Sequence, residues 1–256
     1  MNLVARVLSS SGWAILALLA TITGITAMRY GLPTVPYPVL TNFVTHRLIL
    51  SVHAVAAGVA LLVGPWQFLD RLRARRLGLH RVVGRIYVAA VVIGWLSSIP
   101  VALHAETGAV ASAGFLVLGA CWITTTITAI SKVLLGNICS HQRWMIRSYA
   151  LTAAAITLRL YLGIAIGLHL PFNVAYPAIA WLCWVPNLVA AELILRLTRC
   201  FPLGRRTHSH AFTSIAVGQM HSSALKKDAY EAVWRHQAHR LARAIYKQAL
   251  SGSRHT

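Results

Sequence analysis

Six stretches of this chain are apolar over about the length a helix needs to cross a lipid bilayer, roughly 17–25 residues. They run from Gly12 to Met28, Leu48 to Val63, Gly84 to His104, Ser112 to Leu135, Ile146 to His169 and Val174 to Leu195. A backbone buried in hydrocarbon must satisfy its own amides, which a helix does within one segment. The expectation is an all-α fold, a polytopic membrane bundle of six transmembrane helices. The first stretch follows Arg6 in the manner of a signal peptide. Its apolar run exceeds the usual 7–15 residues and no A-x-A site follows, so it reads as a retained anchor. The second stretch is the shortest and holds His53 and Gly58, so it needs helical neighbours to cover its polar group.

The charges test this reading. Only 11% of residues are charged, against about a quarter in a soluble domain. The 24 Lys and Arg outnumber 5 Asp and Glu, a net charge of +19. Such a balance suits either a nucleic-acid binder or a membrane protein with basic cytoplasmic loops, and the placement of the cations decides. Between the second and third stretches lie Arg71, Arg73, Arg75, Arg76, Arg81 and Arg85, and between the fourth and fifth lie Lys132, Arg143 and Arg147. Arg6, Arg196, Arg199 and nine cations of the C-terminal tail fall on the same side. The other side keeps only Arg29 and Arg47, and Arg159 is left within a stretch. Both termini are therefore expected to be cytoplasmic, in a cell (inner) membrane. Trp144, Tyr30, Tyr37 and Tyr176 sit near stretch ends, where aromatic belts form.

Two regions are expected: a six-span bundle over 1–199 and a basic cytoplasmic tail over 200–256. Within the tail, 224–250 has apolar residues at helical spacing, including Leu225, Tyr230, Trp234 and Leu241, among lysines and arginines. Such an amphipathic helix suits anionic lipid, with a largely disordered tail or one packed on a protein partner as the alternative. No nucleic-acid motif is present, so no nucleic acid is expected as a partner. The linker Gly31-Leu-Pro-Thr-Val-Pro-Tyr-Pro38 is too proline-rich to be helical. The four cysteines are scattered and form no CxxC, so spacing suggests neither a disulfide framework nor a zinc site.

Ionisable groups inside a bilayer are costly, which makes each one a candidate site. At 1.5 Å per residue, His53 and Arg159 both fall roughly 10–12 Å below the same outer surface. They are expected to share a polar cavity with Tyr161, which follows in Leu158-Arg-Leu-Tyr161. Glu192 is the only carboxylate in any stretch, and Arg85 and Arg147 are its expected partners in a structural ion pair. His80 and His141 open the third and fifth stretches from the same face. Two such imidazoles are what a bis-histidine haem b needs, although histidines at helix starts also cap or bond lipid phosphate. A pairing of His53 with His104 for a second haem is disfavoured, because their depths differ. No other metal site is expected.

Several runs carry a family resemblance: Gly64-Pro-Trp-Gln-Phe68, His80-Arg-Val-Val-Gly-Arg-Ile-Tyr87, His141-Gln-Arg-Trp-Met-Ile-Arg-Ser-Tyr149, Thr157-Leu-Arg-Leu-Tyr161 and Ala180-Trp-Leu-Cys-Trp-Val-Pro-Asn187. In this order they resemble a bacterial family of predicted integral membrane proteins, domain of unknown function 2306, over about 48–195. The resemblance implies a multi-pass membrane protein and supplies no activity, substrate or cofactor. Within these motifs, Gly64-Pro65 is expected to end the second span. Pro186 should kink the sixth, with Asn187 supplying a replacement hydrogen bond.

Three functions follow as expectations. One is a b-type haem or redox-associated bundle with His80 and His141 as axial ligands. Another is a small-molecule or proton carrier whose cavity is lined by His53 and Arg159. The third is a non-catalytic accessory subunit that uses its basic tail. No nucleophile beside a base, phosphate loop or carboxylate pair gives hydrolase or kinase chemistry a foothold, and enzymatic activity is left open.

Overall fold

The computed structural model describes residues 10–31, 47–105 and 107–197. The proline-rich linker and the basic tail with its expected helix lie outside the described residues. Among the described residues there is no strand, and six helical segments are long and apolar enough to span a membrane. Helix α1 (Ser10–Met28) runs into a short 3-10 turn, Arg29–Gly31, and α2 (Arg47–Gln67) forms the second span. A short α3 (Asp70–Arg75) leads to α4 (Leu77–Leu103) and α5 (Ala109–Leu134), the third and fourth spans. The fifth span is α6 (Ile138–Thr152) followed by α7 (Ala154–Gly167), and the sixth is α8 (Phe172–Leu182) followed by α9 (Val185–Leu197).

Short links make the third to sixth spans antiparallel neighbours in succession. The turns at Gly108 and Gly136 need positive φ, +85° and +74°, which glycine adopts without a Cβ clash. Alternation gathers the start of α4, the end of α5, the start of α6 and the end of α9 at one end of the bundle. The loop and interfacial arginines concentrate there, so it is the basic end. Gly31, His104 and the α7–α8 turn mark the opposite end.

Several boundaries differ from the sequence expectation. Helix α4 begins at Leu77, not Gly84, and α6 begins at Ile138, not Ile146. His80, Arg81, Arg85, His141, Arg143 and Arg147 are thus on helical turns. Long arginine stems can lie along a helix and keep their charge in the interface, so the helix continues past the apolar run. Gly64-Pro65 does not end the second span either, because α2 runs on to Gln67. Proline leaves the carbonyl of the residue four before it without a donor, and here the Tyr149 hydroxyl donates to that Leu61 carbonyl at 3.3 Å. Gly64 is what lets the Tyr149 ring approach, since a Cβ there would strike it.

Small residues set the other close contacts, as they do where helices pack without a hydrophobic driving force between them. A Cβ on Gly58 would stand 3.0 Å from the Gly24 carbonyl oxygen, and one on Gly24 would stand 3.1 Å from that of Gly58. Gly94 similarly faces the ring of Trp122. The core on these contacts contains Leu61, Tyr87, Val91, Trp122, Tyr149 and Ile156. Ile15, Leu18, Ile22 and Ile25 of α1 are exposed, as a lipid-facing surface would be. Cys121 and Cys183 are free thiols. Cys139 is disulfide-bonded, which the scattered cysteine spacing does not announce.

Candidate functional site

The two broken spans stand at one depth, and a single amide bridges the breaks. Pro186 interrupts the sixth helix ladder, and the Cys183 carbonyl accepts from Asn187 Nδ2 at 3.1 Å and from the Thr157 hydroxyl. The same Asn187 Nδ2 lies 3.1 Å from Thr157 Oγ1 and 3.4 Å from the Ala150 carbonyl of the fifth span. That carbonyl would serve the Ala154 amide in an unbroken helix, and insertion of a side chain into the ladder is a recognised cause of kinks. Irregular backbone at membrane depth is tolerated where protein groups satisfy it.

Above the breaks, towards the end opposite the basic one, lies a cavity of about 410 Å³. Its size is that of a small-molecule site. Ala154, Ala155 and Cys183 beside the breaks contribute to its wall, and Phe115, Trp122, Phe172 and Tyr176 make it largely aromatic and apolar. His53 and Arg159 both line it. Tyr161 does not, and the expected third member of the set is corrected on this point. It follows Arg159 by two residues, about 200° around the helix, and packs against the hydrophobic core instead.

His53 Nδ1 lies 2.9 Å from the Gly94 carbonyl oxygen. A carbonyl only accepts, so Nδ1 carries the hydrogen and Nε2 of the neutral ring is a bare acceptor. Nε2 has no partner among the described residues, and the His53 ring lines the cavity. Arg159 donates through Nη1 to the Ala155 carbonyl at 2.9 Å. Its other donors have no hydrogen-bond partner among the described residues. The guanidinium is near enough to His53 to act on it electrostatically. Among the described residues that line the cavity none is acidic. His104 lines the same cavity, with Nδ1 donating to the Pro100 carbonyl at 2.8 Å.

One flank of the cavity continues into a buried network that residue-by-residue reading of the sequence does not reveal. Trp122 Nε1 donates to Thr152 Oγ1 at 2.9 Å, and Thr152 meets the Tyr87 hydroxyl at 2.8 Å. Tyr87 meets Ser148 at 2.8 Å, Ser148 meets Thr126 at 2.7 Å, and Thr126 donates to the Trp122 carbonyl at 2.8 Å. Thr152 Oγ1 also lies 3.0 Å from the Ser148 carbonyl, so its one hydrogen is shared between that oxygen and Tyr87; with every hydroxyl donating in that one direction, no hydroxyl oxygen of the network lacks a donor. The signal available in the sequence is spacing, since Trp122 and Thr126, like Ser148 and Thr152, are four apart on one helix face.

At the basic end, Arg147 grips both oxygens of Glu192, Nε on one and Nη2 on the other at 3.0 Å, which ties α6 to α9. The Arg147 guanidinium also lies over the Trp144 ring at 4.6 Å. Arg85, the other expected partner, is exposed and makes no ion pair among the described residues. Helix α9 packs on α6 rather than on α4, so Arg147 is the cation within reach. His80 and His141 do approach one another at this end. His141 Nδ1 donates to the Ala129 carbonyl at 2.8 Å, whereas His80 Nδ1 is sealed without a partner. A haem-ligating imidazole normally donates its second nitrogen to a fixed acceptor. His80 lacks one, and neither histidine lines the cavity. The pair does not fit a bis-imidazole haem. No group of three or more metal-ligating side chains occurs among the described residues.

Neither a curated protein nor a solved structure matches the chain. A family model does match, that of a predicted membrane protein family, domain of unknown function 2306, over residues 50–195. That region takes in the second to sixth spans, with both broken helices, His53, Arg159 and the hydroxyl network. The match covers more than half of the chain, and the protein belongs to this family of multi-pass membrane proteins.

Proposed function

We propose that the bundle is a membrane-embedded small-molecule binding protein of the carrier type, whose cavity receives a small anionic amphipath. The observation that carries this reading is Arg159, a guanidinium placed in a largely apolar cavity with no acidic side chain among its described lining residues. A charge at that depth is expensive, and an anionic group from a ligand is the partner that would offset its cost. Planar donors in a fixed fork suit a carboxylate or phosphate held by two bonds. The aromatic walls suit an apolar body, and helices broken beside the cavity are the arrangement by which carriers build sites within a membrane.

The test uses decanoate, an apolar tail on one carboxylate, with purified protein in phosphatidylcholine nanodiscs. At 100 times its Kd the ligand should stabilise the protein by about 2.7 kcal/mol. Arg159→Leu should abolish the stabilisation and Arg159→Lys should weaken it. Equal stabilisation of wild type and Arg159→Leu overturns the reading. We further propose that the basic end faces the cytoplasm of a cell in whose inner membrane the bundle sits, which places both termini inside. The disulfide at Cys139, at that same end, speaks for an oxidising compartment instead. Cation placement acts during insertion and has the greater weight here.

A further inference from the structure

The two polar groups of the cavity do not suit a carboxylate equally. Arg159 offers donors. His53 offers only an acceptor, because its single ring hydrogen is committed to the Gly94 carbonyl at 2.9 Å. An ionised carboxylate also only accepts. A ligand carboxylate lodged between Arg159 and His53 would therefore set an oxygen lone pair against the Nε2 lone pair. Moving the hydrogen from Nδ1 to Nε2 would leave two acceptors, Nδ1 and the Gly94 oxygen, facing each other. The arrangement is resolved by one further proton on Nε2.

We infer that the cavity binds a carboxylate together with a proton: Arg159 takes the anionic charge, and His53, held by Gly94, takes up one proton from solvent on Nε2, keeps it, and hydrogen-bonds the carboxylate through it. This rests on the anion-binding reading above and adds the coupling to it. The balance is simple. One carboxylate and one solvent proton enter, the protein gains the ligand and an Nε2–H bond, and no other bond forms or breaks. The other titratable side chains lining the cavity are Tyr30, His104, Tyr176 and Cys183, from the turn after α1, the end of α4 and helix α8 with its break. Of these, only His104 is an imidazole and needs its own control. A molecule that moves with a proton crosses the membrane without net charge, which gives the pairing of His53 and Arg159 a use in a carrier.

Decanoate binding to the full chain in phosphatidylcholine nanodiscs tests this, with isothermal calorimetry in two buffers of different ionisation enthalpy. The wild type should take up one proton per decanoate at about pH 8, where the free carboxylate is already ionised, and Kd should rise about tenfold per pH unit there. His53→Gln keeps a donor towards the ligand and should bind with no proton uptake and a flat Kd, whereas His104→Gln should retain the wild-type slope. Decanol, which carries no carboxylate, should bind without proton uptake. Decanoate binding to wild type with no proton uptake, or uptake unchanged in His53→Gln, overturns the coupling and leaves the anion site standing. Failure of decanoate to bind wild type at any pH overturns the anion site itself. If His53→Gln does not fold, the buffer dependence of the wild-type heat and the 15N shift of His53 Nε2 on ligand addition decide the matter alone.

Discussion

Tyr87 shows how much one side chain can carry inside this bundle. It is fully buried, and its hydroxyl joins α4 to Ser148 and Thr152 of α6, which in turn bond Thr126 and Trp122 of α5. Three helices are thereby held by a chain of hydrogens that has no spare donor. Removing the phenolic oxygen breaks the chain in its middle: Ser148 keeps Thr126 and Thr152 keeps Trp122, but each loses its bond to α4. Such bonds in membranes contribute less than their isolation suggests, because the unfolded chain also finds partners in the bilayer. Tyr87→Phe should therefore cost about 1 kcal/mol, read as a shift in unfolding by sodium dodecyl sulfate in mixed micelles. A variant as stable as wild type would show that the network does not hold the helices.

Among the elements, the pairing of α1 with α2 depends on two glycines that face each other. Neither helix has a polar stripe to direct it, since lipid is as apolar as the core. What differs is how closely the backbones can approach. Gly58→Leu would push its side chain into the Gly24 carbonyl, Ala27 and Met28. Overpacking of this kind costs roughly 1–3 kcal/mol, and the same detergent titration should show it. Gly78→Ala is the control, as a Cβ there meets nothing within 4 Å. The expected change is within about 0.5 kcal/mol. The broken fifth and sixth spans follow a different logic: Pro186 frees the ladder, and Asn187 and Thr157 close it again across two helices.

For the molecule as a whole, orientation is a question of charge. Single cysteines placed at Gly78 and Leu135 on the basic end, and at Ala109 on the other, all exposed positions, in a chain lacking its own cysteines, should react oppositely with a membrane-impermeant maleimide in intact cells. The Ala109 position should label, and the other two should label only after lysis. The reverse pattern would place the basic end outside and agree with an oxidised Cys139. The Arg147–Glu192 clasp also lies at the basic end, whereas the cavity lies at the other. On this orientation the cavity belongs to the outer half of the membrane.

Six spans, the family and the concentration of cations on one side were all legible in the sequence, because each is a property of composition along the chain: length of apolar run, order of motifs, side of each arginine. Helix ends were less legible, as Leu77 and Ile138 show, since interfacial arginines let a helix continue beyond the apolar run. Depth counting placed His53 and Arg159 near one level, but not which way their helices turn. That is why spacing groups Tyr161 with them and offers Glu192 both Arg85 and Arg147. In water a polar face marks the outside of a helix. In lipid both faces are apolar, so periodicity could not say which side of α4 would seal Tyr87 among hydroxyls or which would meet the bilayer. Rotation of each helix about its axis was decided only by tertiary packing, through Gly24 on Gly58, Gly64 on Tyr149 and Asn187 across the two breaks, and with it were decided the cavity and the direction of every hydrogen bond around it.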